Sequence, residues 1–180
     1  MKTLVITDVQ RDFFHPEGSL YVRGGESLPS RIAEAACSAD SLIFTLDWHP
    51  SGHCSFRSQG GPWPEHCVNY TQGAGLADEF TPFLNRPGTM MFFKGTDPMK
   101  EQYGAFENLA RDNAFRKVFE SSDLVEICGI AGDYCVKETA KNLLGMVPSD
   151  RIVIRTDLIC SIDDGSVLKR FITDMGLRTL

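Results

Sequence analysis

Five short apolar runs, separated by stretches of helical pattern, restrict most what this chain can fold into. They occupy residues 4–9, 41–46, 89–94, 124–130 and 151–156. Near-continuous apolar runs of this length suit strands buried on both faces. Helices are expected over 29–39, where Pro29 suits a first turn, over 105–112, over 133–144 with Gly145 as its cap, and over 166–175. Strands alternating with helices imply a parallel sheet covered on both faces. The expectation is α/β: one domain over 1–180, three layers α/β/α, with five or six strands. Only residues 177–180 remain for a sixth.

Composition excludes several classes. At 180 residues, 42% hydrophobic and 23% charged, the chain resembles an ordinary globular domain with a substantial core. A net charge of -6 without a basic stripe argues against nucleic-acid binding. No apolar run approaches membrane-spanning length. The first strand begins at once and meets Asp8, which does not suit a signal peptide, so the cytoplasm is the expected location. Cysteines stand at 37, 54, 67, 128, 135 and 160 without a C-x-x-C pair, and most are read as reduced and buried. Nothing in the sequence decides between a monomer and a homo-oligomer.

Residues 47–88 form a long segment rich in Gly and Pro that carries three of the four histidines: His49, His53 and His66. Ordered loops of this length are uncommon unless functional. Asp47-x-His49 follows the second strand, and a period of two puts both side chains on one face. With His66 returning on the loop they make a two-His, one-carboxylate set with open positions. Such a set suits a catalytic divalent metal, Zn²⁺ foremost, with Fe²⁺ and Mn²⁺ as alternatives. His15 is read as a loop histidine.

Ligand sites in open parallel sheets gather at the carboxyl ends of the strands. Asp8, Asp47-x-His49, Lys94 and the turn Gly129-Ile130-Ala131-Gly132-Asp133-Tyr134-Cys135 all stand there. Cys135 opens a helix, where the macrodipole and free N–H groups favour a thiolate. An adjacent Lys94 would favour it further, and Asp8 within reach could take the thiol proton and later deliver it. Small residues before Cys135 let backbone N–H groups face an oxyanion. Each residue alone has an ordinary structural explanation. Together they read as a cysteine acyl-transfer site.

Several blocks resemble the nicotinamidases (pyrazinamidases) of the isochorismatase-like cysteine hydrolases. They are Asp8-Val9-Gln10-x-Asp12-Phe13, Asp47-Trp48-His49-Pro50-x-x-His53-x-Ser55-Phe56, Trp63-Pro64-x-His66-Cys67, Phe93-Lys94-Gly95 and Gly132-Asp133-Tyr134-Cys135-Val136. The resemblance implies hydrolysis of nicotinamide to nicotinate and ammonia, in NAD salvage. Cys135 would be the nucleophile that forms a thioester, Asp8 the general base and then acid, and Lys94 the third member of the triad. The N–H groups of Ala131 and Cys135 would form the oxyanion hole, with a cis peptide between Ile130 and Ala131. Asp47, His49 and His66 would hold the metal, and the substrate's pyridine nitrogen would coordinate it. His53 would be either a fourth ligand or a group that orients the site through water. Phe13, Trp63, Tyr103 and Ala131 would surround the ring. Two other readings stand beside this one. They are an amidase of the same superfamily acting on a carbamoyl or ureido compound, and a metal- or nicotinamide-binding protein without turnover.

Overall fold

The computed structural model describes residues 1–107, 109 and 113–180. Six parallel strands form one sheet: β1 (Lys2–Thr7), β2 (Ser41–Asp47), β3 (Thr89–Lys94), β4 (Leu124–Ile130), β5 (Ile152–Cys160) and β6 (Arg178–Thr179). Their spatial order is β3-β2-β1-β4-β5-β6. The chain builds outward from β1 to β3, returns beside β1 as β4, and then builds the other way. The reversal leaves a crevice at the carboxyl ends of β1 and β4, the usual place for a ligand in such sheets.

The sheet is buried on both faces. Leu4, Ile6, Leu42 and Phe44 point to one side, packing with Leu28, Ile32 and Ala36 of α2 (Leu28–Ala36), which follows the single turn α1 (Arg11–Phe14). Val5, Ile43, Val125 and Ile127 point to the other. There they meet α3 (Asn113–Glu120), α4 (Lys137–Leu144) and α5 (Ser166–Met175) through Phe115, Phe119, Ala140, Leu143, Leu168 and Ile172. Burying each large apolar side chain contributes about 1.5–3 kcal/mol, which makes this double layer the main support of the fold.

Several expected boundaries move, for local reasons. β1 stops at Thr7 because Asp8 turns into the left-handed region (φ 50). The helix expected over 29–39 is Leu28–Ala36. Of the helix expected over 105–112, residues 105–107 form turns that bury Phe106, and residues 108 and 110–112 lie outside the described residues. Helix α3 follows, where Phe115 and Phe119, four residues apart, share one face.

The helix expected over 133–144 divides. Gly132–Val136 is a wide π-type turn in which the Val136 N–H reaches back five residues to the Ala131 carbonyl (3.0 Å). The α-helix starts at Lys137. Gly145 follows it with φ -75, so this cap does not use glycine's left-handed freedom, whereas Gly176 does after α5 (φ 61). The last strand is two residues long.

The segment between β2 and β3 is pinned rather than loose. Isolated bridges join His49 to Val68, Phe56 to Trp63 and Gln10 to Leu76. All six cysteines are free, with Cys37 exposed and Cys67, Cys128 and Cys135 buried. Among the described residues, no helix is long and apolar enough to cross a membrane.

Candidate functional site

Three strand ends and one turn bring Asp8, Asp47, Lys94 and Cys135 together. Lys94 ends β3, directly across from Asp47 at the end of β2. Its ammonium lies 2.9 Å from Asp8 Oδ2 and 3.5 Å from Cys135 Sγ, and it donates to Asp47 Oδ1. Asp8 and Lys94 are essentially inaccessible, and Cys135 is nearly so. A buried ammonium costs several kcal/mol unless paired, and here two carboxylates pair it. Burial alone would make Lys94 less basic, but Asp47 and Asp8 outweigh it and hold the ammonium charged.

Two carboxylates around one ammonium leave an excess of negative charge, and the site distributes it unevenly. Burial pushes the Asp8 carboxyl up, against the pull of Lys94. Burial also pushes Asp47 up, but the charge of Lys94 overcomes it and holds Asp47 below the usual carboxylate range. Burial raises the Cys135 thiol, with Lys94 opposing. Burial thus opposes, and Lys94 favours, the thiolate expected from the sequence.

Asp47 is the hinge between two clusters. Its Oδ1 faces Lys94, while its Oδ2 lies 3.7 Å from His49 Nε2 and 3.9 Å from His66 Nε2. One donor atom from each of these three buried residues falls within a 4.8 Å group. The other ring nitrogens are already engaged. His49 Nδ1 bonds the Gly95 carbonyl (3.0 Å), and His66 Nδ1 bonds the Pro64 carbonyl (2.8 Å). An N–H bonded to a carbonyl on one side fixes the tautomer and leaves the Nε2 lone pair free on the other. Donor chemistry, spacing and excess negative charge all fit a divalent cation. Gly95 is required for this arrangement: it has φ 63, and a Cβ there would stand 2.3 Å from the His49 ring.

His53 stands outside that group. Its Nδ1 pairs with Ser55 Oγ at 2.7 Å and its Nε2 with the Lys100 carbonyl at 3.1 Å. Its ring lies against His49, with centroids 4.2 Å apart. His15 accepts a hydrogen bond from the Glu17 N–H in a loop.

Cys135 lines a narrow pocket whose wall includes Phe13, Trp63, Tyr103, Ala131, His66 and Asp47. The Trp63 indole donates to the Tyr103 hydroxyl (3.0 Å), joining two walls from separate loops. The Ile130–Ala131 peptide is cis. A roomier cleft beside α5 is lined by Thr156, Ile159, Leu168 and Lys169 among others, and no acid, thiol or imidazole faces it.

Some functional neighbours carried no assigned role in the sequence. Gln10, fully buried, uses its amide as a short strand: its nitrogen donates to the Asp47 carbonyl (2.7 Å) and its oxygen accepts from the Asp47 N–H (2.8 Å). Asp12 accepts from the Cys67 N–H (2.7 Å), next to His66. Both stand in the Asp8-Val9-Gln10-x-Asp12-Phe13 block, which was the available signal. Leu20, Tyr134 and Ile162 also line the pocket. No local pattern marks Leu20 or Ile162, because each arrives from a distant loop.

Comparison with known proteins agrees with this geometry. The model of the isochorismatase domain matches residues 2–145. The nicotinamidase of Saccharomyces cerevisiae is 33% identical over 172 residues, spanning 78% of this chain and 80% of the relative. Among solved structures, the pyrazinamidase of Pyrococcus horikoshii in complex with zinc superposes with a TM-score of 0.80 at 31% identity, covering 99% of this chain and 98% of that one. PnC1 from L. infantum in complex with nicotinate gives 0.84 at 34% identity, covering 100% and 92%. A buried Cys-Asp-Lys cluster beside an Asp-His-His set, on this sheet and with these relatives, places the chain in the isochorismatase-domain family, in its nicotinamidase branch.

Proposed function

We propose that this protein is a metal-dependent amidase that hydrolyses nicotinamide to nicotinate and ammonia, in NAD salvage, with pyrazinamide as a second substrate. The observation that carries the reading is the meeting of Lys94 with Asp8, Asp47 and Cys135 beside an aromatic pocket, with Asp47 and His66 of the donor set in its wall. The six unpaired cysteines agree with a reducing compartment, and we assign the enzyme to the cytoplasm.

In this mechanism Cys135 Sγ attacks the carboxamide carbon as its proton passes to Asp8. Lys94 holds the charge that develops between them. The N–H groups of Ala131 and Cys135 receive the carbonyl oxygen as it becomes an oxyanion. Asp8 returns the proton to the departing nitrogen, so ammonia leaves and an acyl thioester remains on Cys135. A water then gives its proton to Asp8 and attacks the thioester carbon; collapse releases nicotinate and restores the thiol. Asp47, His49 and His66 would hold the divalent ion, Zn²⁺ first. When bound, it supplies Lewis acidity toward the lone pair of a pyridine nitrogen. Phe13, Trp63 and Tyr103 pack the ring and exclude water. His53, with both nitrogens engaged, acts on this reading as a support for the His49 ring rather than a fourth ligand.

The test is ammonia release from nicotinamide by the purified protein, before and after chelation and metal add-back. Activity that falls with chelation and returns with metal is expected. No ammonia under any metal condition would move the reading to another carboxamide or to binding without turnover.

A further inference from the structure

We infer that Thr45 is a positioning residue of the acyl-transfer site: its hydroxyl holds one oxygen of Asp8 so that the other faces Cys135. The inference rests on the reading of Cys135 and Asp8 as nucleophile and base.

Strand alternation sets which side chains share a face. Thr45 lies within β2, two residues after Ile43 and two before Asp47, so all three share a face of the sheet. Continuing β1 by the same alternation would send Asp8 to the side of Leu4 and Ile6, away from Thr45 and Lys94. The left-handed backbone at Asp8 (φ 50) breaks that alternation. A non-glycine residue in that region needs neighbours that hold it there. Thr45 holds it at two points. The Asp8 N–H donates to the Thr45 carbonyl (3.0 Å), and the Thr45 hydroxyl donates to Asp8 Oδ1 (2.6 Å). Both residues are fully buried, so no solvent substitutes for either bond.

The two carboxylate oxygens are thereby made different. Oδ1 is committed to Thr45. Oδ2 accepts no aligned hydrogen bond among the described residues and has Lys94 at ion-pair distance, 2.9 Å. With Oδ1 turned to Thr45, Oδ2 is the oxygen on the side of Lys94, whose ammonium also meets Cys135 Sγ at 3.5 Å, so the thiol proton is assigned to Oδ2. Without the Thr45 hydroxyl, the carboxylate can rotate about its χ2 torsion, which is broad for aspartate. A branched side chain in a strand, with a restricted χ1, is well suited to fix such a bond.

The experiment compares Thr45→Val, which keeps the shape and loses the donor, with Thr45→Ser, which keeps the donor. Two readouts are needed. One is kcat and KM for nicotinamide. The other is the rate at which iodoacetamide alkylates Cys135, followed by the mass of the Cys135 peptide. In that reaction an S–C bond forms, iodide leaves and the thiol proton passes to Asp8. Thr45→Val is expected to lower kcat and the alkylation rate roughly 10- to 100-fold, with KM within about twofold of wild type. Thr45→Ser should recover both rates to within about threefold.

If Thr45→Val does not fold, Thr45→Ala carries the same expectation. Wild-type kcat and alkylation in the valine or alanine variant would overturn the proposal, as would a serine variant no better than valine. If wild-type protein releases no ammonia yet its Cys135 alkylation still depends on the Thr45 hydroxyl, the substrate reading fails and this one stands.

Discussion

Asp47 shows how much of this site depends on the division of single atoms. One oxygen neutralises Lys94 and the other turns to two imidazoles. Its backbone is clamped by Gln10, which explains why a fully buried glutamine is tolerated: every polar atom it brings is used. Gln10→Ala is expected to weaken metal binding about 10- to 100-fold, because supporting groups tune ligands by that amount. Metal titration against a chelating dye reads it, and unchanged affinity would remove Gln10 from the supporting layer. Cys135→Ala should abolish turnover while binding metal at wild-type stoichiometry. Substantial residual ammonia release would rule out a covalent pathway.

At the scale of elements, the site depends on turns that depart from regular structure. Asp8 leaves β1 through a left-handed residue, and the turn after β4 is of the wide π type rather than the start of an α-helix. Gly129, where β4 passes β1, has φ 119, and a Cβ there would stand 2.0 Å from the Thr7 carbonyl oxygen. Gly95 plays the corresponding part after β3, making room for the His49 ring. Gly95→Ala combines a left-handed backbone with a clash on the His49 ring, a proposed metal ligand. It should cost about 1–3 kcal/mol of stability and most of the bound metal. Thermal unfolding with and without metal tests both; a metal-dependent rise in Tm equal to that of wild type would contradict the role given to this glycine.

For the whole molecule, the sheet order positions the chemistry. Because the chain reverses between β3 and β4, Asp8 and Cys135 lie on either side of the switch point, and Lys94 reaches across from the edge strand. A second buried charge cluster lies away from the site. Glu126 of β4, 2% exposed, meets Lys2 at 3.1 Å and Arg155 at 3.0 Å, and Arg155 also pairs with Asp157. It ties β1, β4 and β5 together by charge as well as by backbone. Glu126→Gln should cost about 1–2 kcal/mol, less than a fully buried pair would, because Lys2 and Arg155 keep some solvent. Urea unfolding measures it, and activity per folded molecule should not change.

Much of this is legible in the sequence itself. Apolar runs alternating with helical pattern require a doubly covered parallel sheet, because each run must bury both faces. Asp8, Asp47, His49, Lys94 and Cys135 could be located at strand ends from the same pattern, and His66 from its place on the returning loop. Of the helix expected over 105–112, residues 105–107 and 109 are turns with Phe106 buried, and residues 108 and 110–112 lie outside the described residues. For His53 the sequence left a fourth ligand and a group that orients the site both open; its two nitrogens meet Ser55 and Lys100, which only the loop's path brings near. Local pattern records which face a residue prefers and how long an element runs. It does not record which oxygen of Asp8 meets Thr45, or which loop closes over Cys135, because those depend on distances between segments far apart in the chain, set only when the whole core packs.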